Sequence, residues 1–390
     1  MFARLSNPLK IKSFFLFGAR GVGKSTFIAQ HLQHERKLVY DLLDPEVEDR
    51  LILEPNKLST EISANLGNID WVIIDEIQKC PKLLNIVHHV IEKHKLKFAL
   101  TGSSARRLRQ KGVNLLAGRA LTEFLFPLTF MELAGQFDLD SVLAFGSLPD
   151  SIAATSIEER CAYLRSYTLN YIKTEIQAEQ WVRNIEPFRK FLGLAGQMNG
   201  CILNYSNMAR DIGVEPNTVQ SYFDILEDTL MGMRVPAFDR SIRKQMRMAP
   251  KFYLFDLGIK RALDRTLDVK LAPGTRAYGD AFEHLVVLEL YRLCQYKRPD
   301  FTLSYILTKD GAEIDLVVDR PGHPTALVEI KSKLRVDDRD CRHLEHFKSD
   351  FDKPDLFLLS NDPVEQLIGS TRAMHWQKGI REILGNITVA

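Results

Sequence analysis

A chain of 390 residues is too long for one compact core and is expected to divide into two to four domains. Its 45% hydrophobic and 26% charged content is ordinary for a globular protein. Lys and Arg number 52 against 50 Asp and Glu, which excludes a nucleic-acid surface supplied by net charge and leaves only local basic clusters to provide one.

No apolar run is long enough to cross a bilayer, so no membrane partner is expected. The basic start, Met1–Lys12, leads through the short apolar Phe14–Phe17 into a glycine loop, with no cleavage site and so no signal peptide. Cys80, Cys161, Cys201, Cys294 and Cys341 are scattered without CxxC spacing. They read as reduced thiols of a cytoplasmic protein with no structural zinc.

Residues 1–135 alternate short apolar runs with helix-like stretches. Strands are predicted at Ser13–Phe17, Leu38–Asp41, Trp71–Asp75 and Lys97–Thr101, with Phe124–Leu128 as a fifth. Each is short and apolar on both faces, the pattern of a parallel sheet covered by helices in an α/β nucleotide-binding domain. Residues 136–195 read as mostly helical, with a long amphipathic stretch over Glu158–Trp181. Residues 196–267 contain a helix-turn-helix pattern, and 268–390 restart an α/β pattern after the Pro/Gly-bearing linker Asp268–Gly279. That last part is expected to run helix (Asp280–Gln295), strand (Thr302–Leu307), hairpin (Glu313–Lys331) and strand (Leu356–Ser360).

The run Gly18-Ala19-Arg20-Gly21-Val22-Gly23-Lys24-Ser25 fits the phosphate-binding loop pattern, with an apolar strand before it and a helix after it. Gly18, Gly21 and Gly23 let the backbone curl until several N–H groups face the phosphates of ATP. Lys24 is expected to reach the β- and γ-phosphates, with Ser25 on Mg2+ and Thr26 beside it at the helix start. About fifty residues on, Trp71-Val72-Ile73-Ile74-Asp75-Glu76 is a buried strand ending in two carboxylates. Asp75 is expected to hold Mg2+ through water and Glu76 to polarise the attacking water. Leu100-Thr101-Gly102-Ser103-Ser104 offers Ser103 or Ser104 as a γ-phosphate sensor, though a plain strand-end turn explains it too. Arg119 is a candidate arginine finger for a neighbouring subunit's ATP, or a surface arginine.

Ser206–Val214 reads as a capped helix ending at Gly213, and Pro216 opens a second helix. Helix, glycine turn and helix together form a helix-turn-helix signature. Asn217, Thr218, Gln220 and Ser221 fall on the N-terminal face of the second helix that meets DNA in such modules, and all are also good capping residues. Arg240, Arg243, Lys244, Arg247 and Lys251 follow as a basic run suited to a wing that tracks phosphates. Arg106, Arg107, Arg109 and Lys111 form a second basic cluster. The alternative is a module that only packs, with these charges solvated.

The pieces GARGVGKS, WVIIDEIQK, LTGSSARRL, LAGRA followed by FPLTFMEL, and KFYLFDLGI occur in this order along nearly the whole chain. In these pieces the sequence resembles the AAA+ ATPases of bacteria and archaea that carry a C-terminal domain long catalogued as of unknown function. The resemblance implies a P-loop AAA+ parallel-sheet core over 1–135 that assembles into a ring, expected to be a hexamer, with Arg119 acting in trans. It departs from the family pattern at Phe145–Pro149, where a second glycine is frequent, and at Glu175, where aspartate is usual.

In the last segment Glu283 lies on an amphipathic helix and Asp315 on a strand. Glu329 and Lys331 share one face of the next strand, two residues apart. The turn between the strands holds Pro321-Gly322 and Pro324, so Asp315 and Glu329 could meet at one Mg2+ with Lys331 beside an attacking water. An acidic helix residue, Asp, thirteen residues and Glu-x-Lys resembles the PD-(D/E)xK nuclease fold, with Ile314 in the proline's place. That resemblance implies Asp315 and Glu329 as metal ligands, Lys331 as catalytic lysine and Glu283 as auxiliary acid, in a restriction-endonuclease-like α/β domain over 268–390. It follows a helical segment (136–195) and a winged helix-turn-helix (196–267).

These readings converge on an ATP-driven, oligomeric DNA-binding machine acting on branched or junction DNA. An ATP-gated Mg2+-dependent nuclease and a non-catalytic ATP-controlled interaction switch are the alternatives.

Overall fold

The computed structural model describes residues 2–104, 116, 118–171, 185–239, 245, 248–308 and 311–385. Apart from the first two residues, the chain divides into two compact units. One comprises residues 3–126 with 228–231, the other 127–227 with 232–390.

The first unit is built on five parallel strands, β1 (Ser13–Phe17), β2 (Lys37–Asp41), β3 (Trp71–Asp75), β4 (Lys97–Gly102) and β5 (Ala120–Phe124). Their order is β2-β3-β4-β1-β5. Every residue of β1 and β3 is buried, as strands covered on both faces require. The helices are α1 (Lys24–His31), α2 (Pro45–Leu53), α3 (Lys57–Ala64) and α4 (Leu83–His94). Alternation along the strands splits their side chains between two faces. Phe15, Phe17, Val72 and Ile74 pack with Leu58 and Ile62 of α3 and Leu83 and Val87 of α4. Phe14 turns the other way, edge-on to Trp71 and to His31 of α1.

The fifth strand lies earlier than predicted, at Ala120–Phe124 instead of Phe124–Leu128. Leu125 N still donates to Phe17 O (2.8 Å), but Pro127 has no N–H with which to extend the ladder. As an edge strand, β5 is only half buried and carries Thr122 and Glu123, so its pattern is hidden in the sequence.

In the second unit, residues 130–166 form short helices, the last being Ile157–Ser166, followed by a π-helical turn at Tyr167–Tyr171. The helical stretch expected over Glu158–Trp181 is thus helical from Glu158 through Tyr171, as α-helix and then π-helix. Its end, including Glu175, lies outside the described residues. At the Phe145–Pro149 turn, Gly146 has φ 70°, and a Cβ there would sit 2.0 Å from the Asp256 carboxylate. The glycine is thus required by the buried Asp256, whose Oδ2 accepts from Ser147 N (2.7 Å).

The helix Tyr205–Ile212 is capped by Asn204, whose side chain accepts from Asn207 N (3.0 Å), and ends at Gly213 in the left-handed region. The helix Pro216–Asp228 follows. The antiparallel ribbon β6 (Gly232–Val235) and β7 (Lys251–Leu254) comes next. Phe191 of the helix Ile185–Gln197 packs tilted against Tyr222 and edge-on to Phe223, which in turn meets Phe252 of β7 edge-on.

Helix Arg276–Lys297 starts four residues before the predicted Asp280, because Thr275 caps it through Tyr278 N (3.3 Å). A six-stranded sheet completes the unit: β8 (Thr302–Leu307), β9 (Glu313–Asp319), β10 (Ala326–Lys331), β11 (Asp355–Ser360), β12 (Gln366–Ile368) and β13 (Thr371–His375). The order is β12-β13-β11-β10-β9-β8, parallel through β10, β11 and β13 and antiparallel elsewhere. The short, mixed-polarity β12 and β13 and the helix Trp376–Ile383, whose Trp376, Ile380 and Ile383 share one buried face, were not among the predicted elements. Among the described residues, no helix is long and apolar enough to cross a membrane.

Candidate functional site

The loop after β1 curls as its glycines allow. Gly21 and Gly23 have φ of 77° and 89°, conformations that residues with a Cβ avoid. A Cβ on Gly18 would lie 2.4 Å from Leu125 O and 2.9 Å from Val22 Cγ2, so the backbone passes where only glycine fits. Helix α1 begins at Lys24 with Gly23 as its N-cap. Its first N–H groups have no partner within the helix, and a phosphate is what such a terminus binds. The Lys24 ammonium is buried and donates to the loop carbonyls Gly18 O (2.8 Å) and Ala19 O (3.2 Å). Thr26 is exposed on the first turn.

β1, β3 and β4 end side by side, which brings the polar groups together at their carboxyl ends. Ser25 Oγ donates to Asp75 Oδ2 (2.5 Å), and Thr101 Oγ1 donates to Asp75 Oδ1. Asp75 is buried with both oxygens engaged by hydroxyls, a donor set that suits a hydrated Mg2+ held by Ser25 and Asp75. Glu76 adopts φ 59°, ψ 46°, a left-handed conformation that costs a non-glycine residue about 1–3 kcal/mol. Thr101 Oγ1 accepts from Glu76 N (2.9 Å), which holds that turn, and Glu76 Oε1 lies 4.0 Å from Lys24 Nζ.

Gln78 was missed by sequence reasoning. Its buried amide donates to Glu76 Oε2 and to Ser103 Oγ (3.1 Å), joining the predicted water-activating acid to the predicted sensor. Gly102 makes room for it, since a Cβ there would sit 2.8 Å from Gln78 Oε1. Its position two residues beyond Glu76 is visible in the sequence, but its burial is not. Ser103 is thereby brought into the site, and Ser104 is fully buried. Arg119 is partly exposed and pairs with Glu92 of α4.

On the helix-turn-helix, Asn217, Gln220 and Ser221 are exposed and Thr218 is half-buried. Arg240, Arg243, Lys244 and Arg247 lie outside the described residues, as do Arg106, Arg107, Arg109 and Lys111. Lys251 does not belong to a solvated wing as predicted. It opens β7, is 4% exposed, and turns inward because two carboxylates await it.

Those carboxylates belong to the C-terminal cluster. Lys251 Nζ lies 2.5 Å from Glu313 Oε1 and 3.7 Å from Glu283 Oε1, and Tyr253 Oη donates to Glu283 Oε1 (2.8 Å). Pairing of β9 with β10 stops at Leu316↔Val328, and Asp315 Oδ2 then accepts from Ile330 N (2.7 Å) in place of a ladder bond. Lys331 Nζ bonds Glu329 Oε1 (2.5 Å) on the shared face. Burial raises the Asp315 pKa well above the carboxylate range, and the charges of Glu329 and Glu283 add to the rise. Burial likewise raises Glu329, against the pull of Lys331. Burial opposes charge on Lys251, but Glu283 and Glu313 outweigh it and raise its pKa.

Glu329 Oε2 is buried without a hydrogen-bond partner, and a cation would satisfy it. The expected metal set is nevertheless incomplete: among the described residues no three His, Cys, Asp or Glu side chains converge as metal ligands. Asp315 and Glu329 fit a divalent cation as a pair, while Glu283 is turned to Tyr253 and Lys251.

Comparison with known proteins gives matches in three consecutive segments. Residues 10–134 match a family model described as an AAA domain. The five-stranded parallel sheet with its P-loop fits that fold. Residues 136–270 and 278–375 match two further family models, each described as a domain of unknown function. An uncharacterized protein of Haemophilus influenzae is 20% identical over 299 residues, covering 73% of this chain and 71% of the relative. Domain III of the Thermotoga maritima replication initiation protein DnaA superposes with a TM-score of 0.23 at 15% identity, over 42% of this chain and 77% of that one.

Proposed function

We propose that this protein binds ATP with Mg2+ and hydrolyses it, and that it works as a DNA-binding ring. The observation that carries the ATPase reading is the meeting of Lys24, Ser25, Asp75 and Glu76 at the ends of β1 and β3, with Glu76 held in a left-handed turn. Lys24 exchanges its loop carbonyls for the phosphates, and Ser25 and Asp75 hold Mg2+, which supplies charge neutralisation when bound. Glu76, with Oε1 4.0 Å from Lys24 Nζ, takes the proton of the attacking water. Ser103, tied to Glu76 through Gln78, reports the γ-phosphate to the same carboxylate. A neighbour's Arg119 completes the charge stabilisation in the assembled ring.

DNA binding is supported by the exposed Asn217, Gln220 and Ser221 on the second helix of the helix-turn-helix, with Arg243, Lys244 and Arg247 as phosphate contacts. The deciding experiment is ATP turnover with and without single-stranded, duplex and junction DNA. Turnover should rise with DNA, most with junction DNA. Turnover indifferent to all three, together with DNA affinity unchanged on charge reversal at Arg243 and Lys244, would leave an ATP-controlled interaction switch.

A second reading, a Mg2+-dependent nuclease, is favoured by the unpartnered Glu329 Oε2 beside Lys331 and Asp315. Cleavage that needs Mg2+ or Mn2+ and disappears in Lys331→Ala tests it.

A further inference from the structure

The segment ahead of β1 is fastened to the phosphate loop. Leu5, Ser6 and Pro8 are buried and Asn7 is exposed, so Arg4–Pro8 lies with one side covered. Its two ends are held at opposite ends of α1. Pro8 O is 3.1 Å from Nε2 of His31, the last residue of that helix. At the other end, Arg4 Nη1 donates to Val22 O (2.9 Å), in the loop just ahead of the helix. Arg4 Nη2 donates to Phe126 O, two residues past the end of β5. The neighbouring Leu125 O is the atom that a Cβ on Gly18 would strike. The loop is therefore backed by residues 125–126 at Gly18 and tied to them through Arg4 at Val22.

Val22 O belongs to a peptide that is free to turn over. Gly23, which follows it, has φ 89°, and a residue without a Cβ takes either sign of φ at little cost. In a trans peptide the C=O and the next N–H point in opposite directions. A donor that fixes Val22 O on one side of the loop thus fixes Gly23 N–H on the other. We propose that Arg4 is a positioning residue of the ATP site: by holding Val22 O it keeps Gly23 N–H aimed into the hollow of the loop, as a donor to the phosphates. Backbone N–H groups are what such a loop offers a phosphate, so their aim sets its affinity. The guanidinium suits the task because one planar fork serves both carbonyls. The inference rests on the ATP-binding reading of this loop and adds to it a residue from outside the motif.

The test uses the full chain, with steady-state ATP turnover, titration of a fluorescent ADP analogue, and thermal unfolding to show that each variant is folded. Arg4→Met keeps the apolar stem and removes the donors. It should raise KM for ATP and weaken ADP binding by at least about tenfold, as the loss of a hydrogen bond from a charged group allows. Its kcat should stay within about twofold of wild type, since Ser25, Asp75 and Glu76 are untouched and ground state and transition state lose the same contact. Arg4→Lys, whose single ammonium lacks the fork, should fall between. In Arg4→Ala, added guanidinium should restore part of the ADP affinity and methylammonium less, a preference that a packing defect does not produce. If Arg4→Met does not fold, Arg4→Lys and Arg4→Gln carry the same comparison. A folded variant with unchanged KM and ADP affinity overturns the role of Arg4, as does a fall in kcat alone. A wild type that binds neither ATP nor ADP overturns the P-loop reading itself, a result distinct from equal binding by wild type and variant.

Discussion

Ser25 Oγ donates to Asp75 Oδ2 across 2.5 Å, although the two residues are fifty positions apart in the chain. The bond depends on the sheet order. Helix α1 leaves the end of β1, β3 is separated from β1 only by β4, and the carboxyl ends of all three face the same way. The sheet order alone thus makes Ser25 and Asp75 neighbours, the placement a Mg2+·ATP site needs.

The loop's close passage at Gly18 makes the first prediction. Gly18→Ala places a Cβ 2.4 Å from a backbone oxygen, Leu125 O, which cannot rotate away. The loop must shift, at a cost of about 1–3 kcal/mol, as for other overpacked sites. Thermal unfolding should register that loss, and fluorescent-nucleotide titration should show ATP affinity reduced by at least about tenfold.

Gln78 makes the second. If its amide acts by orienting Glu76 and Ser103, Gln78→Leu should keep ATP affinity and lower kcat by about 10–100-fold, less than the roughly 100–10,000-fold that a general base itself supplies. In a Glu76→Gln background the same change should cost little further, since the group it orients is already lost. Additive losses in the double variant would assign Gln78 to packing alone.

Arg119 pairs with Glu92 on its own subunit, on a partly exposed surface. Arg119→Ala should therefore preserve ATP binding while turnover falls. Mixing it with Lys24→Ala subunits should restore part of the activity, because each inactive protein supplies what the other lacks. A co-assembled mixture that stays inactive would remove the trans role.

A fourth prediction concerns pH. Glu289 is buried beside Arg292, with Oε2 unpartnered, and burial lifts its pKa to about 8 against the pull of Arg292. Its folded pKa is thus raised above its unfolded value, so its contribution to stability is fully present below about 4.5 and is lost as pH rises through about 8. Glu289→Gln removes the titration while keeping the shape. The stability of the variant relative to wild type should increase from pH 5 to pH 8, by up to about 1.4 kcal/mol per pH unit. Thermal unfolding at the two pH values measures the difference, and a constant gap would show that Glu289 does not titrate in this window.

What was legible in the sequence follows physical lines. β1 and β3 are legible to the residue because strands buried on both faces must be continuously apolar, and the P-loop because phosphate binding needs glycines at fixed spacing. β5 was misplaced because an edge strand tolerates Thr122 and Glu123, and because Pro127 stops the ladder where apolar residues continue. The acidic cluster was half legible. Asp315, Glu329 and Lys331 share strand faces that spacing reveals, but Lys251 comes from β7, about sixty residues before Asp315, and nothing in its local sequence announces an inward turn. Gln78 was overlooked for the opposite reason: a glutamine beside two carboxylates reads as a solvent-facing side chain until the chain buries it against Gly102.

The most direct measurement of the central claim is ATP binding and steady-state ATP turnover in Glu76→Gln beside wild type and Lys24→Ala. Glu76→Gln should bind ATP with near wild-type affinity and turn it over at least about 100-fold more slowly, while Lys24→Ala should lose both. Turnover by Glu76→Gln at the wild-type rate would contradict the assignment of this carboxylate and, with it, the account of the site.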